Sequence, residues 1–217
     1  MKKKRGLLAL AIILVVIIAD QLLKIYVKTH FYLGEEVPVT SWFRLKFIEN
    51  AGMAFGLELW NKMLLTFGRI AAVGFFIWFL ARVRRCAALR TGFLVCVALI
   101  TAGAAGNIFD CVLYGEIFSN PVPPETATFV PVGQGYGSWF EGRVVDMLYF
   151  PLFSVDIAGH SWEFFQYIFN IADAAICVGV LMLLFFYSND IVPAWDCFRG
   201  RKPQLQATDT DDVPTEK

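Results

Sequence analysis

The sequence predicts a membrane-embedded, mainly α-helical protein: four transmembrane helices carrying a small β-sheet on the outer face. Three observations lead there. The 217 residues are 57% hydrophobic and only 18% charged, whereas an ordinary soluble domain is roughly 45–50% apolar and about 25% charged. The apolar residues are bunched into four stretches, each close to the ~20 residues that a helix needs to cross a bilayer core. Lys and Arg cluster in alternate connections between those stretches. The same composition excludes a disordered chain. Nineteen Lys+Arg balance nineteen Asp+Glu, so the net charge is zero. No overall attraction to nucleic acid follows, and every charge argument must be local.

The spans are read at about residues 6–27, 63–81, 91–110 and 164–187. The N-terminus carries Lys2, Lys3, Lys4 and Arg5; the connection between the second and third spans carries Arg82, Arg84, Arg85 and Arg90; the C-terminal side carries Arg199, Arg201 and Lys202. The two longer connections, residues 29–62 and 111–163, hold only Arg44, Lys46, Lys62 and Arg143. The positive-inside rule then places both termini in the cytoplasm. The first span reads as permanent rather than as a cleaved leader, because no A-x-A site follows and Asp20-Gln21-Leu22-Leu23-Lys24 continues into more apolar sequence.

Residues 37–47 and 144–155 are rich in β-branched and aromatic types, with Phe43, Leu45 and Phe47 alternating with Arg44 and Lys46. They are expected to form strands of a small outer sheet. Residues 119–142, with Pro121, Pro123, Pro124 and Pro131, read as a loop. Residues 191–217 are expected to be a cytoplasmic, disordered tail, polar and acidic from Pro203 onward. Cys86, Cys96, Cys111, Cys177 and Cys197 form no CxxC, and no disulfide framework is expected.

A charge within a span costs at least about 2.5–3.5 kcal/mol on insertion scales, so each one is a functional candidate. Asp20 lies about 21 Å from the inner end of its span, Arg69 about 9 Å below the outer end of the second, and Asn170 and Asp173 about 9–14 Å into the fourth. Asn107 and Asp110 fall in the last turn of the third. All of these positions are in the outer half although the helices alternate in direction. Asp20/Lys24 are i,i+4, and Asn107/Asp110 and Asn170/Asp173 are i,i+3, so each pair shares a helix face. One polar site near the outer surface is therefore expected. The small-residue run Thr101–Gly106 is read as a close helix contact.

Several chemistries find no residues. His30 and His160 are the only histidines, with no HExxH and no cysteine cluster for a metal; there is also no GxSxG, GxxxxGK[ST] or GxGxxG. Paired carboxylates remain: one accepts a proton from water while its partner donates to a scissile carbonyl, and like charge in a dry setting keeps the pair singly protonated. Asp20, Asp110, Asp146, Asp156 and Asp173 are candidates, and spacing does not choose between them. A proton-coupled transporter would also need polar groups in the inner half of the spans, and a scaffold would leave the polar cluster unexplained. Trp42, Trp139 and Trp162 are read as headgroup-level anchors.

Five blocks then occur in order: Asp20-Gln21-Leu22-Leu23-Lys24; Asn50-Ala51-Gly52-Met53-Ala54-Phe55-Gly56; Gly106-Asn107-Ile108-Phe109-Asp110; Val144-Val145-Asp146; and Phe169-Asn170-Ile171-Ala172-Asp173. Together they resemble the lipoprotein signal peptidase (signal peptidase II) family of bacterial inner-membrane aspartyl proteases, over about residues 6–187. The resemblance implies an enzyme that cleaves prolipoproteins just before their lipid-modified cysteine. It implies two aspartates and no metal or cofactor, on four transmembrane helices with a periplasmic β-cradle and a periplasmic helix. Asp146 and Asp173 would be the catalytic pair. Asn50, Gly52, Asn107, Asp110 and Asn170 would shape the substrate site and hold the dyad, and Asp20 and Lys24 would be structural or substrate-orienting. The expected partners are prolipoprotein substrates and membrane lipids, with no nucleic acid, and a monomer in the inner membrane.

Three departures from the family pattern accompany it. Cys111 stands where the family usually has Arg, and Arg143 is a candidate to replace that cation. The aspartate block reads VVDM rather than VVDF. Residues 119–142 interrupt it, so that Glu116 or Asp110 is an alternative alignment to Asp146, with the insertion as a looped-out outer flap. The apolar, strand-like surroundings of Asp146 favour it.

Overall fold

The computed structural model of the chain describes residues 2–51, 62–151, 153–157, 160–164 and 166–203. Gly52 and the rest of residues 52–61 lie outside them, as do residues 204–217 of the expected tail and the side chain of Trp162. The helices are α1 (Lys2–His30), α2 (Lys62–Val83), α3 (Thr91–Ile117), α4 (Ile171–Phe186) and, after a 3-10 turn, α5 (Ile191–Phe198). The strands are β1 (Glu36–Pro38), β2 (Arg44–Asn50), β3 (Val144–Tyr149), β4 (Phe153–Ile157), β5 (His160–Phe164) and β6 (Ile168–Phe169). Helices α1, α2 and α3 are long and apolar enough to cross a membrane, and α4 with α5 qualifies as a fourth when the pair, bent by 84°, is counted together. Among the described residues of the two long connections there is no separate helix.

The sheet is antiparallel in the order β1-β2-β3-β6, and β4 and β5 form their own hairpin. Ile48 faces Asp146 and Asn50 faces Val144; the register shifts between Leu45 and Ile48. That irregularity sits where the strand turns Phe47, fully buried, into the interior. Val27 and Phe31 of α1, Tyr114 of α3 and Val145 and Met147 of β3 join Phe47 in one apolar cluster beneath the sheet. A second cluster closes the opposite end of the helices, around Leu80, Val83, Leu89, Phe93, Leu94 and Val97.

The fourth apolar run is divided, correcting the span expected at 164–187. Phe164 ends β5, and Ile168 and Phe169 pair with Tyr149 and Leu148 as β6. Helix α4 begins only at Ile171, where the Asn170 side chain accepts the Asp173 backbone N–H at 2.8 Å. This is an N-cap: it satisfies one of the donors that the first turn leaves open. Helix α3 runs past its expected end at residue 110 to Ile117. Its small residues do bring α4 close: a Cβ on Gly103 would lie 2.1 Å from the Ala172 carbonyl oxygen, a position only glycine can occupy.

Two other expectations are corrected. Residues 119–142 are not looped out. Val130, Tyr136, Gly137 and Gly142 donate backbone N–H bonds of 2.9–3.0 Å to the Ile117, Phe118, Gly115 and Cys111 carbonyls, which straps the segment along the end of α3. The Gly115 and Ile117 carbonyls are among the last four of α3, which a helix leaves without helical partners. The tail expected from residue 191 begins as helix α5, because Ala194 and Phe198 bury against α2 and a Cys86–Cys197 disulfide fastens its end to the α2–α3 turn. That single cross-link was not foreseen in the sequence: the residues are 111 positions apart and share no motif.

Candidate active site

Asp146 is the third residue of β3, between β2 and β6, and is 4% exposed. Asp173 lies in the first turn of α4, which follows β6 directly. Since β6 pairs with β3, the start of α4 is carried to the side of Asp146. A helix N-terminus favours a carboxylate, and Asp173 is placed to benefit.

One fully buried amide ties the two aspartates together. Asn170 donates from Nδ2 to Asp146 Oδ1 at 2.6 Å, with Val145 O at 3.3 Å and Asn107 Oδ1 at 3.2 Å also within reach, while its Oδ1 accepts the Asp173 N–H. Asn107 of α3 then donates from its own Nδ2 to Asp173 Oδ1 at 2.8 Å. Burial pushes the Asp146 carboxyl up to about 7, the neighbouring Asp173 carboxylate adds to the rise, and the Asn170 N–H opposes it. The Asp146 carboxyl thus keeps its proton to near neutrality. Asp173 is half-buried and edges a groove of about 360 Å³ whose other walls are Phe169, Ala174, Cys177 and Val178.

Beneath the pair lies a charged layer. Lys24 Nζ is 2.9 Å from Asp20, 2.7 Å from Asp110 and 2.8 Å from Asn107 Oδ1, and all three charged side chains are fully buried. Asp20 accepts the Ala172 N–H of α4 at 2.9 Å, and Asp110 accepts the Val145 N–H of β3 at 3.2 Å. The two carboxylates therefore hold the two elements that bear Asp173 and Asp146. Gln21 closes the layer, donating to Asp110 at 2.8 Å and to the Gly106 carbonyl at 3.1 Å while accepting from Tyr114 at 3.0 Å. Ions this deep are tolerable only when every oxygen and proton finds a partner, and here no buried side-chain polar atom among the described residues lacks one.

Most of the expected residues thus converge: Asp20, Lys24, Asn107, Asp110, Asp146, Asn170 and Asp173 share one network. Asn50 is at the end of β2, opposite Val144. Of the carboxyls considered for the place beside Asp173, the one sharing Asn170 with it is Asp146. Glu116 instead accepts the Trp139 N–H at 3.0 Å, holding the strapped segment. Arg143 does not stand in at Cys111; it pairs with Glu49 at 3.0 Å and Asn120 at 3.1 Å. The guanidinium beside Cys111 comes from α2, with Arg69 Nη1 3.3 Å from the thiol. Gln21 was the supporting residue missed, although its i,i+3 spacing from Lys24 put it within reach of the same face. Among the described residues no group of three or more His, Cys, Asp or Glu could hold a metal ion.

The backbone resembles two solved bacterial membrane enzymes, determined by the in meso method at 2.3 and 1.9 Å resolution. Their TM-scores are 0.59 and 0.56, with 22% and 24% identity, covering 84% and 81% of this chain and 88% and 89% of theirs. In sequence, the lipoprotein signal peptidase of Porphyromonas gingivalis is 40% identical over 98% of this chain and 96% of its own length. That of Amoebophilus asiaticus is 35% identical over 80% and 74%. Residues 12–188 match the family described as signal peptidase (SPase) II. The chain belongs to the signal peptidase II family.

Proposed function

We propose that the protein hydrolyses the signal peptide of diacylglyceryl-modified prolipoproteins on the N-terminal side of the lipid-modified cysteine, using water activated between Asp146 and Asp173. The likeness to lipoprotein signal peptidases, over 98% and 80% of this chain, supports the substrate class. The observation that carries the dyad is Asn170, one buried amide bonded to both aspartates.

In this mechanism Asp173, steadied by the Asn107 N–H, takes the proton of the attacking water. Asp146 begins protonated and gives its proton to the scissile carbonyl oxygen as the tetrahedral intermediate forms. Collapse returns that proton to Asp146, and the departing amine takes the one held by Asp173. The apolar groove beside Asp173 receives the apolar part of the substrate, and the acyl chains remain in the bilayer.

The remaining features follow the same reading. The chain is a monomeric inner-membrane protein with four spans, α4 and the bend after it serving as the fourth, and both termini are cytoplasmic. The sheet and the dyad lie at the periplasmic face, with residues 119–142 an insertion on that side. Purified protein with a lipid-modified peptide tests it: Asp146→Asn and Asp173→Asn should each abolish cleavage while the protein stays in the membrane. Near-normal cleavage by either variant refutes the dyad.

A further inference from the structure

At the end of the bundle away from the sheet, α5 is held crosswise. Arg90 pins the bend, donating to Asp190 at 2.7 Å and to the Phe186 carbonyl at 2.8 Å, with its guanidinium 4.6 Å from the Tyr187 ring. The Cys86–Cys197 disulfide holds the other end of the helix. Phe198 packs on Trp78 and Phe79 of α2, with ring centroids 4.6 and 5.3 Å apart. Ile191, Val192 and Trp195 are exposed, and Trp195 stacks on Phe198 with ring centroids 5.4 Å apart.

Between α5 and the long helices lies an apolar slot of about 250 Å³. Phe76, Phe79, Val97, Leu183, Ile191 and Trp195 are among its walls. One of its walls, Trp195, carries a cation. The Arg199 guanidinium sits 4.7 Å from the Trp195 ring, and Arg201 and Lys202 follow, both exposed. Arg82, in the last turn of α2, and Arg85, on the turn to which the disulfide joins α5, are also exposed. Of the nearby acids, Asp190 is engaged by Arg90, and Asp196 is half-buried on α5 itself.

We propose that this slot takes an acyl chain of an anionic phospholipid whose phosphate is held by Arg199 and Arg201. A crosswise helix with an apolar face and a basic end is built to lie at a membrane interface and to attract anionic lipid. The slot is apolar inside, with Arg199 against its Trp195 wall and Arg201 two residues on, and this matches an acyl chain carrying an anionic head. The chain's own residues 204–217 are acidic but contain only Leu205 and Val213 as large apolar residues, so they match the nearby cations and not the apolar interior.

The test uses the full chain in phosphatidylcholine vesicles containing a minor fraction of phosphatidylglycerol. Bromines are placed on the acyl chains of one lipid or the other at equal mole fraction. Quenching of Trp195 is read as wild type minus Trp195→Phe. Bromines on phosphatidylglycerol should quench several-fold more than bromines on phosphatidylcholine. The preference should vanish in Arg199→Gln/Arg201→Gln and persist when residues 204–217 are removed. Equal quenching by both lipids overturns the proposal, as does a preference that survives the double substitution or one that appears only after the tail is cut. Quenching of the other tryptophans, unchanged in the double variant, reports that it is folded.

Discussion

The two ends of the helical bundle are equally well buried but built from opposite materials. Away from the sheet, Leu80, Val83, Leu89, Phe93, Leu94 and Val97 close the interior with hydrocarbon. At the sheet end, Asp20, Lys24, Asn107, Asp110 and Asn170 do so with charge and amide. Apolar packing tolerates small changes of shape and loses energy by degrees as atoms are removed. A buried ionic layer is all-or-none, because removing one partner strands another. On the proposed mechanism that difference follows from the work of the sheet end, which would have to hold two carboxyl groups in a dry place and in register.

The comparison can be broken most sharply at Asp146. Asn there should slow cleavage by ~10⁴-fold or more, and the same change should raise stability at alkaline pH. The sign follows from the raised carboxyl. Between its ordinary range and about 7, the folded protein holds a proton that the unfolded chain has lost, so stability falls as pH rises through that window and levels off above about 7. Removing the ionisation recovers up to about 4 kcal/mol at pH 8 and little at pH 4. Thermal unfolding of both forms in detergent across that range checks it, and a parallel pH dependence for the two proteins would contradict it. Wild-type cleavage should likewise decline as pH rises past about 7, when Asp146 loses the proton it donates.

Next in size is Lys24→Met, which leaves Asp20 and Asp110 unpaired and should cost about 3–5 kcal/mol. Adding Asp20→Asn and Asp110→Asn should restore much of that stability without restoring full activity. Leu94→Ala at the opposite end should cost about 2–4 kcal/mol, while cleavage per folded molecule stays near wild type. Equal loss of specific activity from Leu94→Ala and Lys24→Met would erase the distinction between the ends. The smallest effect is expected at the rim of the sheet, where Glu36 pairs with Arg44 at 2.5 Å and Lys46 at 3.0 Å in partly solvated positions. These partners, Arg44 first, hold the Glu36 carboxyl below its usual range. Glu36→Gln should cost under about 1 kcal/mol after solvent screening. The loss should be present at neutral pH and disappear as acid protonates the wild-type carboxyl.

Legibility followed the range of the interactions. The apolar runs marked the helices, and i,i+3 and i,i+4 pairs marked which polar side chains share a face. Both are local signals. The start of α4 was misplaced because Phe164–Phe169 is apolar, and a short apolar run does not distinguish strand from helix. Asn170 with Asp173 three residues on was a capping signal that would have corrected it. Arg69 beside Cys111, the strap of residues 119–142 and the Cys86–Cys197 link depend on segments far apart in the chain. The family pattern pointed to Asp146 across the insertion, but Asn170 as the shared tether had to be seen in three dimensions.

Gly103 acts as a spacer gauge for the machinery above it. A methyl group there would press on Ala172, the residue just before Asp173. The gap between the two carboxyls is thus governed from a helix that bears neither of them, and redesigning the reaction would mean re-machining that distant seat before touching the aspartates.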